Sequence, residues 1–167
     1  MKQPTPSAIP LKDLTALAVF AALMIALQVA LAGLPNIELV TLMIILATCV
    51  LGWKSLLSVA IFILAEGLLY GFGIWWFNYL YVWPLLVLMV MALRKWSHPL
   101  LWAVLGALYG LLFGTLCSVP YFFAGGFAAG VGYIVSGLPF DLAHCAGNFI
   151  SVLLLFYPLE QVLKKYL

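Results

Sequence analysis

Apolar stretches alternate with short connections of polar and turn-forming residues along the whole chain. The hydrocarbon core of a bilayer is about 30 Å thick, and a helix needs about 20 apolar residues to cross it. The pattern therefore predicts an all-α integral membrane protein, a compact bundle of six transmembrane helices in one domain over residues 12–167. A short flexible segment, residues 1–11, is expected to precede it. The predicted spans are residues 11–34, 36–51, 55–70, 79–93, 98–119 and 138–162.

Positive charge falls only at the termini and in every second connection between these spans. Lys and Arg accumulate in the cytoplasmic loops of membrane proteins. Their distribution predicts that both termini are cytoplasmic. It also places the connections around residues 33–36, 71–78 and 120–136, which contain no Lys or Arg, on the outer side. The cationic residues are Lys2, Lys12, Lys54, Arg94, Lys95, Lys164 and Lys165.

Composition excludes an aqueous globular fold. Of the 167 residues, 67% are hydrophobic and 7% are charged, whereas a soluble domain carries about 25% charged residues. The lipid bilayer is the expected surrounding, and no nucleic acid partner is expected. Six spans leave no room for an ATPase domain, and the chain has no phosphate-binding glycine loop ending in Lys-Ser or Lys-Thr. Any ATP hydrolysis must therefore come from a separate chain.

Enzymatic and metal chemistry are not predicted. Asp141 and His144 lie one helical turn apart and close to Ser136, but the chain has no nucleophile elbow. The histidines His98 and His144 are predicted on opposite sides of the membrane, which disfavours a metal site. Three widely spaced cysteines in apolar runs are expected to be buried free thiols. They are Cys49, Cys117 and Cys145.

Two predicted helices carry small residues at every fourth position. Small residues at this spacing let helix backbones approach closely in lipid. The stripe on the fifth helix predicts internal packing against a neighbouring helix. The stripe on the first helix is open to two interpretations, internal packing or a docking face for a partner protein. The stripes are Gly106, Gly110, Gly114 and Ser118, and Ala18, Ala22, Ala26 and Ala30.

Three carboxylates are predicted at one depth in the outer leaflet, namely Glu38, Glu66 and Asp141. Charges in hydrocarbon cost several kcal/mol, so three at one level predict a shared polar cavity that opens to the outside. An alternative holds for Glu38 and Asp141, because acids near helix N-termini are favoured by the helix dipole. Glu66 lies at the opposite helix end, where the dipole does not favour it.

Polar and aromatic residues cluster around these carboxylates. Asp141, His144 and Asn148 are spaced i, i+3 and i+7, and therefore share one helix face. Aromatic residues at this depth also form membrane-interface belts, but their convergence with amides and carboxylates predicts a pocket for a flat or ring-containing polar solute. The candidate site residues are Asn36, Glu38, Thr41, Glu66, Tyr70, Trp76, Asn78, Tyr79, Tyr81, Trp83, Tyr121, Tyr133, Asp141, His144 and Asn148.

The chain resembles the substrate-binding S component of an energy-coupling factor (ECF) vitamin transporter. The resemblance rests on Ala18, Ala22 and Ala26, and on three runs. The runs are residues 35–41 (Pro-Asn-Ile-Glu-Leu-Val-Thr), 76–84 (Trp-Phe-Asn-Tyr-Leu-Tyr-Val-Trp-Pro) and 137–141 (Gly-Leu-Pro-Phe-Asp).

The resemblance implies a prokaryotic plasma-membrane protein that is not itself an enzyme and has no cofactor of its own. Its partners would be a transmembrane coupling subunit, which docks on Ala18, Ala22 and Ala26, and two ATPase subunits that use ATP and Mg²⁺. The S component would bind a vitamin from outside, join these partners and tilt in the membrane to release its cargo.

The cargo is a separate expectation. No cationic side chain is predicted in the outer cavity, which disfavours anionic vitamins. Aromatic residues, amides and a glycine-rich outer connection favour cobalamin or a related corrinoid as the first candidate. Riboflavin, thiamine and pantothenate stay as alternatives. Two other functions also stay open: a self-sufficient small carrier or channel, and a structural assembly subunit.

Overall fold

The computed structural model describes residues 9–96 and 98–167, which form α-helices and two single 3₁₀ turns with no strand in that range. Residues 1–8 of the predicted flexible N-terminus, including Lys2, lie outside the described residues. The helices are α1 (Leu11–Leu31), α2 (Val40–Leu51), α3 (Ser55–Tyr70), α4 (Ile74–Leu93), α5 (Pro99–Cys117) and α6 (Val119–Tyr166). The 3₁₀ turns are Gly52–Lys54 and Arg94–Trp96.

Five helical segments in the described residues are long and apolar enough to cross a membrane. The α2 and α3 helices count as one of these segments, Val40–Tyr70. With 12 and 16 residues, they are about 18 and 24 Å long at 1.5 Å per residue, and each is shorter than a bilayer core. The protein is therefore an all-helical membrane protein. The other segments are Leu11–Leu31, Ile74–Trp96, Pro99–Cys117 and Val119–Tyr166.

Helix boundaries differ from the prediction at the outer ends of α2 and α4. The α2 helix begins at Val40 because Asn36 has a left-handed backbone with φ 57°, which interrupts a helix and which Asn tolerates better than most residues. The α4 helix begins at Ile74, so residues 74–78, predicted as loop, are helical. The turn before them is made by Gly71, whose φ is 87°.

The connection 120–136 is helical, whereas the sequence predicted a loop. Ser118 keeps helical angles (φ −73°, ψ −16°), so the first turns of α6 continue α5. The direction reverses at Gly126, where φ is 73° and ψ is −172°, angles that only glycine adopts readily. After the reversal, the ring of Tyr133 stacks on that of Tyr121 with centroids 4.2 Å apart. The result is a helical hairpin rather than an irregular cap.

Helix directions follow from contacts between neighbours. Lys54 pairs with Asp13 and the Ser58 hydroxyl donates to the Leu17 carbonyl, so α3 runs parallel to α1. The α2 and α6 helices are also parallel, because Glu38 and Thr41 contact His144 and Asn148 respectively. The pairs α4–α5 and α5–α6 are antiparallel, as Val82–Tyr109, Asn78–Cys117, Gly106–Asn148 and Gly114–Asp141 contacts show.

The chain therefore reverses at each connection from α1 to α5, including the glycine turn at Gly52 (φ 62°), and once more within α6 at Gly126. The start of α1 and the end of α6 lie at the same end of the bundle. We call this end the basic end, because the described cationic residues lie there: Lys12, Lys54, Arg94, Lys95, Lys164 and Lys165. We call the opposite end, with Glu38, Glu66 and Asp141, the acidic end.

The bundle core is centred on α2. Ten of its 12 residues are buried, and such a helix, apolar on all sides, belongs in a protein interior. Elsewhere in the bundle, α5 packs closely on α6 through the predicted glycine stripe. A Cβ atom on Gly110 would lie 2.8 Å from the backbone carbon of His144, and one on Gly114 would clash with the Asp141 carboxylate. The packing role predicted for this stripe is thus confirmed.

We expect Gly110→Ala to destabilise the protein, because the added methyl group meets main-chain atoms of α6 that cannot rotate away. Overpacking of this kind costs about 1–3 kcal/mol. Gly132→Ala is the matched control, since nothing lies within 4 Å of a Cβ atom there. Thermal unfolding of the detergent-purified variants measures the difference. Equal unfolding temperatures for both variants would contradict the close contact.

Candidate ligand-binding site

A cavity of about 170 Å³ lies at the acidic end of the bundle. It is enclosed by the end of α1, the α1–α2 connection and one side chain or more from each of α4, α5 and α6. Polar and aromatic side chains face it together, which is unusual in a chain of this composition. The lining residues are Gln28, Leu31, Ala32, Leu34, Pro35, Asn36, Ile37, Glu38, Tyr79, Trp83, Phe113 and His144.

Glu38 and His144 form the polar centre of this cavity. Oε1 of Glu38 lies 3.0 Å from Nε2 of His144, and Oε2 accepts a hydrogen bond of 2.8 Å from the Thr41 backbone N–H. Thr41 is in the first turn of α2, where N–H groups lack partners within the helix. The helix-capping role considered for Glu38 is therefore real, and it leaves the carboxylate at the cavity wall.

Two buried nitrogen atoms at the cavity wall have no hydrogen-bond partner among the described residues. They are Nε1 of Trp83, whose residue is 2% exposed, and Nδ1 of His144, whose residue is 3% exposed. Buried polar groups are nearly always hydrogen-bonded. Both residues line the cavity. Each of the two nitrogens has almost no accessible surface, so a ligand in the cavity could reach them only after a small shift of the neighbouring side chains.

Aromatic rings form the rest of the wall. Trp83 lies between Tyr79 and Phe113, with centroid separations of 5.5 Å to each. Phe113 in turn meets the His144 ring edge-on, at 5.0 Å and 66°. Such tilted and edge-to-face contacts are the favoured geometry of aromatic pairs. The rings thus support one another, and the cavity shape does not depend on a ligand.

Glu38 is the ionised member of the site. Burial opposes its ionisation, but the hydrogen bonds from His144 and Thr41 and the charge interaction with His144 outweigh burial and lower the pKa of Glu38 below its ordinary 4.5. An ionised carboxylate only accepts hydrogen bonds, so the proton between the two side chains resides on Nε2 of His144. Nδ1 of His144 then remains for a ligand.

Asp141 and Asn148 flank His144 on the same face of α6, as predicted, but neither lines the cavity. Oδ1 of Asp141 accepts from the Gly114 N–H at 2.9 Å, and the Asn148 amide donates to Oγ1 of Thr41 and to the Gly106 carbonyl, each at 3.3 Å. These contacts hold α6 against α2 and α5. Asp141 and Asn148, like Thr41, position His144 rather than face the cavity.

The structure places the remaining candidates away from the cavity. Glu66 is buried, and its Oε1 has no partner in the described residues, but it does not line the cavity. Tyr70 is 53% exposed. Main-chain carbonyls of other helices accept from Trp76, Asn78 and Tyr81, and Tyr121 and Tyr133 stack in the α5–α6 hairpin. Five candidates therefore meet at the cavity: Asn36, Glu38, Tyr79, Trp83 and His144.

Sequence reasoning missed two lining residues of chemical interest, Gln28 and Phe113. Gln28 was detectable, because an amide inside an apolar span is costly and needs a partner. Phe113 was not detectable, since a phenylalanine in a transmembrane helix is ordinary. No group of three His, Cys, Asp or Glu side chains within residues 9–96 and 98–167 is arranged to hold a metal ion.

No protein family, curated protein or solved structure matches this chain.

The lowered pKa of Glu38 predicts a loss of stability in acid. Its ionised form contributes stability that is complete above the ordinary pKa of 4.5 and is lost as the pH falls through the lower folded-state pKa. We expect Glu38→Gln to unfold at a lower temperature than the wild type at neutral pH. The difference between the two unfolding temperatures should narrow as the pH falls below 4.5. Thermal unfolding across this range is the measurement, and a gap independent of pH would contradict the ionised pair.

Proposed function

We propose that the protein is the substrate-capture subunit of an ECF-type vitamin importer. The observation that carries the proposal is the polar, aromatic-walled cavity at the acidic end, with the Glu38–His144 pair at its centre. A polar cavity at one end of a bundle suits capture of a solute. Delivery would then depend on movement of the whole subunit with its partners.

The helix arrangement supports this proposal. Successive described helices alternate in direction, and α1 begins at the same basic end where α6 finishes. Six spans with cytoplasmic termini are the corresponding topology in a membrane, with the basic end inside by the positive-inside rule. The cavity would then open to the outside of a prokaryotic plasma membrane, where a scavenged vitamin is encountered.

The proposed coupling subunit would dock on α1. Ala18, Ala22 and Ala26 are exposed, opposite the buried Leu17 and Met24, so the alanine stripe packs on no other described helix. Beside it lies an apolar groove of about 640 Å³ between α1 and the end of α6. A partner helix could lie against the smooth stripe with a side chain in the groove. The ATP and Mg²⁺ chemistry would belong to the two ATPase subunits.

The cargo proposal is a water-soluble vitamin. Cobalamin, the first candidate from the sequence, is many times larger than a cavity of 170 Å³ and would require the acidic end to open widely. Riboflavin and pantothenate would also require some opening. Thiamine, a cation built from two single rings, suits the carboxylate and the aromatic wall best among the candidates.

A self-sufficient cation or proton carrier is the second candidate function. Buried carboxylates with an unpartnered oxygen favour it, since Oε1 of Glu66 and Oδ2 of Asp141 have no hydrogen-bond partner in the described part of the chain. Intramembrane carboxylates of this kind serve as proton and ion sites in transporters. A structural assembly subunit is a third hypothesis, but the polar cavity does not favour it.

Calorimetry with a vitamin panel tests the proposal directly. The detergent-purified protein should bind one compound of a panel that includes thiamine, riboflavin, pantothenate, cobalamin and cobinamide with one-to-one stoichiometry. Ion uptake by liposomes that contain the protein alone tests the carrier reading. Ion uptake without vitamin binding would replace the first proposal with the second.

Ala22→Trp tests the docking face. A bulky indole on the exposed stripe should block docking, so vitamin uptake by the complete transporter should fall at least about tenfold while binding by the purified subunit is unchanged. Leu88→Trp is the matched control, since Leu88 is 51% exposed on α4. Equal uptake by both variants would remove the alanine stripe from the interface, and loss of binding by Ala22→Trp would show that the stripe is needed internally.

A further inference from the structure

The charge of the cavity restricts what it can bind. Glu38 lies at its wall, and no Lys or Arg of the described residues lines it. The described cationic side chains lie at the basic end, at the far side of the bundle. Of the lining groups, only His144 can become positive, and its Nε2 proton is already directed at Glu38. An anionic ligand would therefore meet a carboxylate whose one possible counter-charge, the His144 ring, is already engaged with Glu38, whereas a cationic ligand would meet a hydrogen-bond acceptor.

The aromatic wall acts in the same direction. Tyr79, Trp83 and Phe113 line one cavity. The ring centroid of Trp83 lies 5.5 Å from that of Tyr79 and 5.5 Å from that of Phe113. The face of an aromatic ring carries negative potential and attracts a cation, and the attraction is stronger when water is excluded. Three rings around one carboxylate form an environment that stabilises positive charge, and the rings also stack on a flat ligand.

The hydrogen-bonding groups of the cavity indicate which donors and acceptors a ligand needs. Nε1 of Trp83 is only a donor and has no partner in the described residues, so a ligand that reaches it needs an acceptor. Glu38 already receives two hydrogen bonds, and an ionised carboxylate has about four acceptor positions, so it has room for a ligand N–H or for a charged ring nitrogen.

Size restricts the ligand further. The cavity holds about 170 Å³, close to the roughly 150 Å³ of an engineered cavity that binds benzene, and below the 300–1,000 Å³ typical of sites for drug-sized molecules. One six-membered or five-membered ring with small substituents fills such a space. A fused ring system or a macrocycle would extend beyond the mouth of the cavity.

We propose that this cavity binds a single-ring, positively charged nitrogen heterocycle, held by Glu38 and enclosed by Tyr79, Trp83 and Phe113. This inference rests on the proposed function, because it names the chemical class of the group that the capture subunit recognises. The ligand is either such a heterocycle alone or the charged ring of a slightly larger vitamin.

The test compares probes that differ in charge and match in size. The probes are 1-methylnicotinamide, a cation with an amide acceptor, 6-methylnicotinamide, its neutral counterpart of equal size, and nicotinate, an anion. Calorimetry or tryptophan fluorescence with the purified full-length protein measures their affinities. We expect the cation to bind at least about tenfold more tightly than the neutral probe, as a charge contact of about 1.4 kcal/mol implies, and nicotinate to bind most weakly.

Two variants assign this preference to the residues named. Glu38→Gln keeps the side-chain size and an acceptor for Thr41 but removes the charge, so the difference between cation and neutral probe should disappear. Trp83→Phe keeps an aromatic face but removes the unpartnered N–H. The affinities of both amide probes should therefore fall, while the preference for the cation stays. Circular dichroism verifies that each variant is folded, and the charge comparison in the unmodified protein stands if a variant is not.

The outcomes separate this inference from the proposed function. Equal binding of the cationic and neutral probes, tighter binding of nicotinate, or no binding of any probe overturns the inference. If a vitamin of the panel still binds and is transported with the partner subunits, the capture function stands without it. If the cationic probe binds as expected but no vitamin does, the cavity chemistry is supported and the vitamin function is overturned.

Discussion

The close contact between α5 and α6 is the constraint on which the rest of the acidic end depends. Lipid gives apolar helices no hydrophobic reason to associate, so membrane helices associate through close packing and hydrogen bonds. Gly106, Gly110 and Gly114 let the two backbones meet, with no space for a Cβ atom at Gly110. This contact sets the height and rotation of α6, and so the position of His144.

The position of His144 in turn decides how the carboxylates are accommodated. The Glu38 carboxylate contacts the His144 imidazole and accepts a hydrogen bond from the Thr41 N–H in the first turn of α2. The Asp141 carboxylate accepts a hydrogen bond from the Gly114 N–H. Each partner belongs to a different helix, so satisfying the carboxylates also joins α2, α5 and α6. The rings of Trp83 and His144 are buried among other aromatic rings, and one nitrogen of each has no hydrogen-bond partner in the described residues. The cavity is therefore preorganised rather than collapsed.

The two ends of the bundle have opposite chemistry, and this separation agrees with a division of labour. The acidic end holds an enclosed cavity with aromatic walls. The basic end holds an apolar groove between the start of α1 and the end of α6. Capture of a solute at one end and contact with a partner at the other need no continuous passage through the protein, which is the physical logic of a subunit that moves with its cargo.

Prediction from sequence succeeded where a single helix carries the signal. The glycine stripe of α5 and the shared face of Asp141, His144 and Asn148 follow from helical periodicity alone. It was wrong for residues 74–78 and 120–136, whose glycines and aromatics are typical of loops. In the structure Gly71 and Gly126 each make one sharp turn, and the residues beside them continue as helix. Composition over a window does not reveal which glycine turns the chain.

The sequence by itself determined the apolar solvent, the helical class and the segregation of positive charge, because these depend on composition and on order along the chain. It also indicated that Glu38 and His144 belong at one depth. Only the tertiary structure decided that these two meet, that Glu66 and Tyr70 lie elsewhere, and that Gln28 and Phe113 complete the wall. Depth follows from counting residues along a helix, whereas rotation about the helix axis is set by packing against neighbours that are distant in sequence.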